Sequence, residues 1–193
     1  KMKSINVNGT ARTETGKKAA RNIRKTGAVP CNLYGEAKGE NGLPLAKSFT
    51  VTQDELRKLV YTPDIYSVNL NIDGQECKAI MKELQFHPVT DQLLHVDFYE
   101  ITETKPIIME VPIKLNGLAE GVKAGGKLVQ DMRKLKVCGI YTAFPDRINI
   151  DVTELGLGKK IAVADVKVEG LKFVNPADAC VAEVKATRQS KQA

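Results

Sequence analysis

YSVNLNIDGQECKAIM, residues 66–81, decides how the first half of this chain is read. Two alternating runs flank Asp73-Gly74. A two-residue Asp-Gly link is the tight turn whose twist suits two antiparallel strands. The stretch is therefore predicted to be a β-hairpin, and the segments around it follow the same period of two.

Upstream, SINVNGTAR puts Ile5, Val7 and Ala11 on one side and Asn6, Asn8, Thr10 and Arg12 on the other. In VPCNLYGE, Val29, Cys31 and Leu33 face one way and Asn32 and Tyr34 the other. KSFTV is a further strand. Downstream, a turn over Pro88–Asp91 leads into LLHVDFYEI, which alternates again. Two short helices interrupt these strands. GKKAARNIRKTG is bounded by glycines and carries a small apolar face of Ala19, Ala20 and Ile23. TQDELRKLVYTP has Thr52 as cap with Glu55 three residues on, a capping-box spacing, and Pro63 ends it. AKGENGLP, rich in glycine and charge, is expected to be a loop. About six strands and two helices pack most naturally as a small mixed sheet or barrel.

The pattern pauses at TETKP, residues 102–106, and a boundary is placed there. Beyond it, IIMEVPIKLNG, KLVQDMRKLKVCGIY, RINIDVTEL and ADACVAEVKA read as strands, separated by GVKAGG, FPD, GLGKK and FVNPAD. Short strands with Gly/Pro turns argue for an all-β second domain. The expected organisation is a first domain over 1–102, a β-rich domain over 103–187 and a flexible basic tail over 188–193. The fold class is mainly β with short helices.

The 193 residues are 42% hydrophobic and 27% charged, enough apolar material for real cores. No run reaches the ~20 apolar residues of a membrane span, and the start lacks a signal-peptide core, so a cytoplasmic protein without membrane contact is expected. The net charge is +6 and the pI about 9.1, a balance that favours an anionic partner. Its distribution says more. Arg12, Lys17, Lys18, Arg21, Arg24 and Lys25 stand against Glu14 alone between residues 11 and 27. The four cysteines are far apart in sequence, so zinc spacing is absent and they are expected to be reduced.

P-loop, GxSxG, HExxH and GxGxxG signatures are all missing. Both histidines lie in HPVTDQLLHVDFYE, residues 87–100. On a strand, His95, Asp97 and Tyr99 share one face while Leu94, Val96 and Phe98 share the other. Three readings compete. His95 and Asp97 could supply two of the three or four ligands a metal needs, as in a metal-dependent phosphodiesterase. The face could be merely solvated. Or it could be a recognition surface, offering a donor and an acceptor at fixed spacing to base edges and 2′-hydroxyls. Arg12, Asn32 and Tyr34, on the polar sides of their own strands, would join the third arrangement, and the basic helix would flank it with phosphate contacts. With no Trp and 5% aromatics, stacking platforms for single strands are scarce, so a structured duplex is the better-fitting nucleic acid.

The pattern R-x3-G-K…R-x2-R-x2-G-x-VP-x2-LYG from Arg12 to Gly35, with HPVTDQLLHVDF, resembles the bacterial large-subunit ribosomal protein twenty-five family. VPIKLNG, GVKAGGKL and INIDVTELGLGKKIAVADV resemble the second domain of its longer Ctc, or general stress protein, type. The resemblance implies an N-terminal β-barrel that binds 5S ribosomal RNA in the widened minor groove of a distorted duplex. It implies RNA contacts at Arg12, Lys17, Arg21, Tyr34, His95 and Asp97, with Arg24 a further candidate. No catalytic, metal or cofactor residue is implied. The second domain would touch neighbouring large-subunit components, and the protein would be a monomer off the ribosome. Cys31-Asn32 departs from the small apolar residues frequent there, a change expected to leave binding unaffected. A protein-binding β module is the rival reading, above all for the second domain, where the charge is mixed.

Overall fold

The computed structural model describes residues 2–35 and 46–187, so the expected loop at 37–44 and the tail at 188–193 lie outside the described residues. The chain divides into two compact units, Met2–Glu103 and a second that begins at Thr104.

In the first unit, β1 (Lys3–Ala11), α1 (Lys17–Lys25), β2 (Ala28–Tyr34), β3 (Lys47–Thr52), α2 (Gln53–Val60), β4 (Tyr66–Ile72), β5 (Gln75–Phe86) and β6 (Leu93–Glu100) follow one another. The six strands close into a barrel in the order β1-β3-β2-β6-β5-β4. The residues alone had left sheet or barrel open, and β1 settles it by pairing on both sides. Lys3–Gly9 lie parallel to β4, while Thr10 and Ala11 turn antiparallel to β3. The Asp73-Gly74 hairpin assists the closure. Both residues have positive φ, 48° and 88°, as a primed two-residue turn requires. Asp73 Oδ2 accepts the Ala11 N–H at 3.0 Å, tying the turn to the end of β1.

Inward residues of every strand fill the barrel. Val7, Cys31, Phe49, Val68, Val96 and Phe98 are fully buried, and the Phe49 and Phe98 rings meet at 5.8 Å. Gly9 leaves room for this pair, since a Cβ there would come within 2.6 Å of the Phe49 ring. Helix α2 adds Leu56 and Leu59 to the same core. The expected capping box does not form. Thr52 stands at the N-cap without a side-chain bond, and Glu55 reaches across to Asn8 instead. Its carboxylate accepts the Asn8 N–H at 3.3 Å and Nδ2–H at 3.2 Å, two donors from a neighbouring strand in place of one local amide.

The second unit is built from β7 (Ile107–Asn116), α3 (Glu120–Lys123), β8 (Lys127–Gln130), β9 (Lys134–Gly139), β10 (Ile148–Asp151), β11 (Lys160–Ala162), β12 (Lys172–Phe173) and β13 (Cys180–Lys185). They form a four-stranded sheet, β10-β7-β9-β12, and a three-stranded sheet, β11-β13-β8. The run over 127–141, expected as one strand, divides between the two sheets at Asp131–Arg133. There the Asp131 and Met132 amides both bond the Val181 carbonyl, and the chain leaves one sheet for the other. RINIDVTEL keeps strand form only over β10, while GLGKK and FVNPAD, read as connections, contain the starts or ends of β11 and β12. GVKAGG, expected as a connection, starts inside α3, and Gly121 there lies against Gly156, where a Cβ would sit 2.7 Å from backbone.

Candidate nucleic-acid interface

Register, not sequence distance, assembles the polar face of the barrel. The Arg12 N–H bonds the Ser48 carbonyl at 3.0 Å. Ser48 pairs with Asn32, Asn32 with Asp97, and Asp97 with Glu83. Arg12, Ser48, Asn32, Asp97 and Glu83 thus form one row across five strand positions. His95 lies two residues back on β6, opposite Gln85. Tyr34 and Tyr99 are direct register partners ahead of the row, their rings edge-on at 5.8 Å. The register shift in β5 between Met81 and Glu83 is what aligns Glu83 rather than Lys82 with Asp97.

His95 Nδ1 is 3.5 Å from Asp97 Oδ1, with 17% and 20% of the two side chains exposed. They therefore hold each other at a half-open surface. Burial, and then the carboxylates of Asp97 and Glu83, push the Tyr34 phenol above its ordinary pKa. It remains an O–H donor throughout physiological pH. At the other end of the row, Arg12 Nε and Nη1 are buried without a hydrogen-bond partner among the described residues. Buried donors left unsatisfied are rare and destabilising, so this guanidinium is held in place at a cost.

Helix α1 packs on β2 beside this row, with Ala19, Ala20 and Ile23 half-buried. Arg24 fixes the helix to β6 by donating from Nε to the Leu94 carbonyl at 3.0 Å, next to His95. Lys17, Lys18, Arg21 and Lys25 are exposed, and their side chains make no ion pair or hydrogen bond among the described residues. The first turn holds no acidic residue and two lysines, the reverse of what a helix dipole favours. That arrangement weakens the helix and concentrates positive potential at its N-terminal amides, where an anion such as phosphate is stabilised.

The structure brings Arg12, Tyr34, His95 and Asp97 onto one face and sets Arg24 beside it, with Lys17 and Arg21 on the flanking helix. Sequence reading passed over Ser48 and Glu83, which only the register reveals. It also left out Tyr99, although the alternation of β6 had placed it beside Asp97.

Catalytic and metal readings find little support in the same geometry. His87 is occupied by its turn, Nδ1 accepting the Val89 and Thr90 amides at 3.3 and 3.2 Å. No third ligand joins His95 and Asp97 among the described residues. The trio with ligand-like spacing is Asp131, Cys180 and Glu183 in the other unit. There Glu183 is paired with Lys185 at 2.7 Å, and burial and an Asp131 hydrogen bond keep Cys180 a thiol. Cys31 points into the barrel, where burial raises its pKa to about 12, which removes it as a nucleophile. All four cysteines are free thiols, but only Cys31 is fully buried.

Residues 7–98 match the ribosomal L25p family, and residues 106–188 match the ribosomal protein TL5 C-terminal domain. The chain is 57% identical over 192 residues to the large ribosomal subunit protein bL25 of Phocaeicola vulgatus. It is 52% identical over 197 residues to the protein of that name from Bacteroides thetaiotaomicron, and 49% identical over 193 residues to that of Porphyromonas gingivalis. Each alignment covers 100% of this chain and 97% of the relative.

Proposed function

The chain belongs to the ribosomal L25p family as a two-domain member, a structural protein of the large ribosomal subunit and not an enzyme, and from that premise we propose that its barrel holds 5S ribosomal RNA. Its place is the ribosome of the cytoplasm, with large-subunit components as its surroundings.

One observation carries the RNA reading. A polar row ends in a guanidinium whose Nε and Nη1 find no partner among the described residues, beside a helix whose Lys17, Lys18, Arg21 and Lys25 side chains are uncommitted there. A polyanionic duplex supplies oxygen acceptors to both, to Arg12 once its side chain turns out toward the groove. Arg12 donates to sugar or phosphate oxygens at the groove edge. Tyr34 positions the backbone. His95 and Asp97 face base edges and 2′-hydroxyls, so they set specificity. Lys17 and Arg21, with the N–H groups that open α1, neutralise phosphates, and Arg24 seats the helix that carries them. The outer face of the barrel is too broad for the narrow major groove of RNA and suits its wide, shallow minor groove. The boundary between the RNA-binding domain and the second domain falls near residue 102. The second domain, over 103–187, meets neighbouring large-subunit parts, and the protein off the ribosome is a monomer.

The test is filter binding of the full chain to 5S ribosomal RNA and to a random RNA duplex of equal length, across a salt titration. Tight, salt-steep binding that prefers 5S RNA and is lost in His95→Ala is the expected result. Equal affinity for both RNAs would remove the 5S assignment.

A further inference from the structure

We propose that Asn32 is a specificity-determining residue of this face, its side-chain amide donating to an acceptor oxygen or nitrogen in the groove of the bound duplex. The proposal rests on the RNA reading above and deepens it.

Strand β2 lies between β3 and β6, and Asn32 occupies the middle of the row, with Ser48 on one side and Asp97 on the other. The Ser48 hydroxyl donates to Asn32 Oδ1 at 3.0 Å. This fixes the acceptor end of the amide toward β3. The two N–H groups of Nδ2 are left without a partner among the described residues. They are not stranded in the protein either, because Asn32 is half-exposed and its nitrogen is absent from the buried, unsatisfied atoms. An oriented donor pair therefore stands in the open between a guanidinium and a carboxylate. The minor groove of RNA presents what such a pair needs: 2′-hydroxyl oxygens, purine N3 and pyrimidine O2. Arg12 and Asn32 then read acceptors, while Asp97 reads a donor, in one line across the barrel.

Cys31 is buried in the core, away from this face. Asn32 stands in the centre of the face by register, and on this proposal its departure from the small apolar residues of the family matters for binding. A small apolar residue at this position would leave the Ser48 hydroxyl, freed from Asn32 Oδ1, as the one side-chain donor between Arg12 and Asp97.

The experiment compares the full chain with Asn32→Leu, Asn32→Asp and Ser48→Ala, each checked for folding by circular dichroism. Binding to 5S ribosomal RNA and to a random duplex is followed across salt. Asn32→Leu is expected to weaken 5S binding by about three- to tenfold, the loss of one neutral hydrogen bond, with an unchanged salt slope. Its affinity for the random duplex should fall less, since that duplex shares the 2′-hydroxyls but not the groove of 5S RNA. Asn32→Asp should lose more, since it exchanges two donors for acceptors beside Asp97. Ser48→Ala should lose less, since it only frees the amide to turn. Wild-type 5S affinity in Asn32→Leu would overturn the assignment while leaving the RNA reading intact. Absence of a 5S preference in the wild-type chain would defeat both, and is read without any variant. A 5S RNA carrying 2′-deoxynucleotides in the segment that the full chain shields from nuclease separates the two acceptor sources. If the Asn32→Leu penalty vanishes on it, the partner is a 2′-hydroxyl. If the penalty persists, the partner is a base edge.

Discussion

Arg12 carries opposite consequences for stability and for binding. Its guanidinium has two buried nitrogens without partners among the described residues, so removing it removes a desolvation cost along with some packing. Arg12→Ala is therefore expected to unfold within about 0.5 kcal/mol of wild type in a urea titration, yet to lose more than about tenfold in 5S RNA affinity. A large loss of stability with unchanged binding would reverse the assignment. Cys31 offers a second test at this scale. Burial lifts its pKa from 9.0 to about 12, so between those values the unfolded thiol ionises while the folded one does not. Its contribution to stability is complete below pH 9 and falls as pH rises toward 12, by at most about 1.4 kcal/mol for each pH unit. Alkylation of Cys31 in the native protein should accordingly be far slower than that of the half-buried Cys138. Single residues were well legible in the sequence when alternation alone fixed their direction, as for Tyr34, His95 and Asp97. Ser48 and Glu83 were not, because their importance comes from strands paired far away in sequence.

Helix α1 and helix α2 show two ways an element can depart from its local signals. In α1, lysines occupy the turn where acidic residues would stabilise the dipole. Lys17→Glu should then strengthen the helix by roughly 0.3–1 kcal/mol and weaken RNA binding. Arg21→Ala should lower the salt slope of 5S binding by about 0.7–0.9, the signature of one phosphate contact. An unchanged slope would take Arg21 out of the interface. In α2, the Thr52/Glu55 spacing gave the helix its correct start but the wrong contact. Thr52 caps nothing, so Thr52→Ala should cost less than about 0.5 kcal/mol. Glu55→Ala, which removes two bonds to Asn8, should cost about 1 kcal/mol in chemical denaturation. The reverse order would restore the capping box. Helix position was readable because breakers and caps act locally, whereas the partner of Glu55 lies 47 residues away on β1.

At the scale of the molecule, each unit has its own core, the barrel interior in the first and Ala119, Val152, Leu155 and Val184 among the second. An RNA that binds only the folded barrel stabilises it by mass action, by about 2.7 kcal/mol at a hundredfold excess over Kd. Hydrogen exchange with 5S RNA present should show slowed amides in α1, β2 and β6 and unaltered ones in β8–β13. Protection confined to the second unit would move the RNA site there. The sequence by itself determined the strand and helix inventory of the first unit, the Asp73-Gly74 turn, the basic helix and the sides on which polar residues fall. These follow from period, breakers and turn residues, which act over a few positions. It also carried the family, through motifs that span both units. Tertiary structure alone decided that the barrel closes through parallel β1–β4 pairing, that residues 127–141 serve two sheets, and that Arg12, Asn32 and Asp97 stand in one row. Strand pairing joins residues by hydrogen bonds between distant segments, and no local pattern in the chain encodes which segments meet.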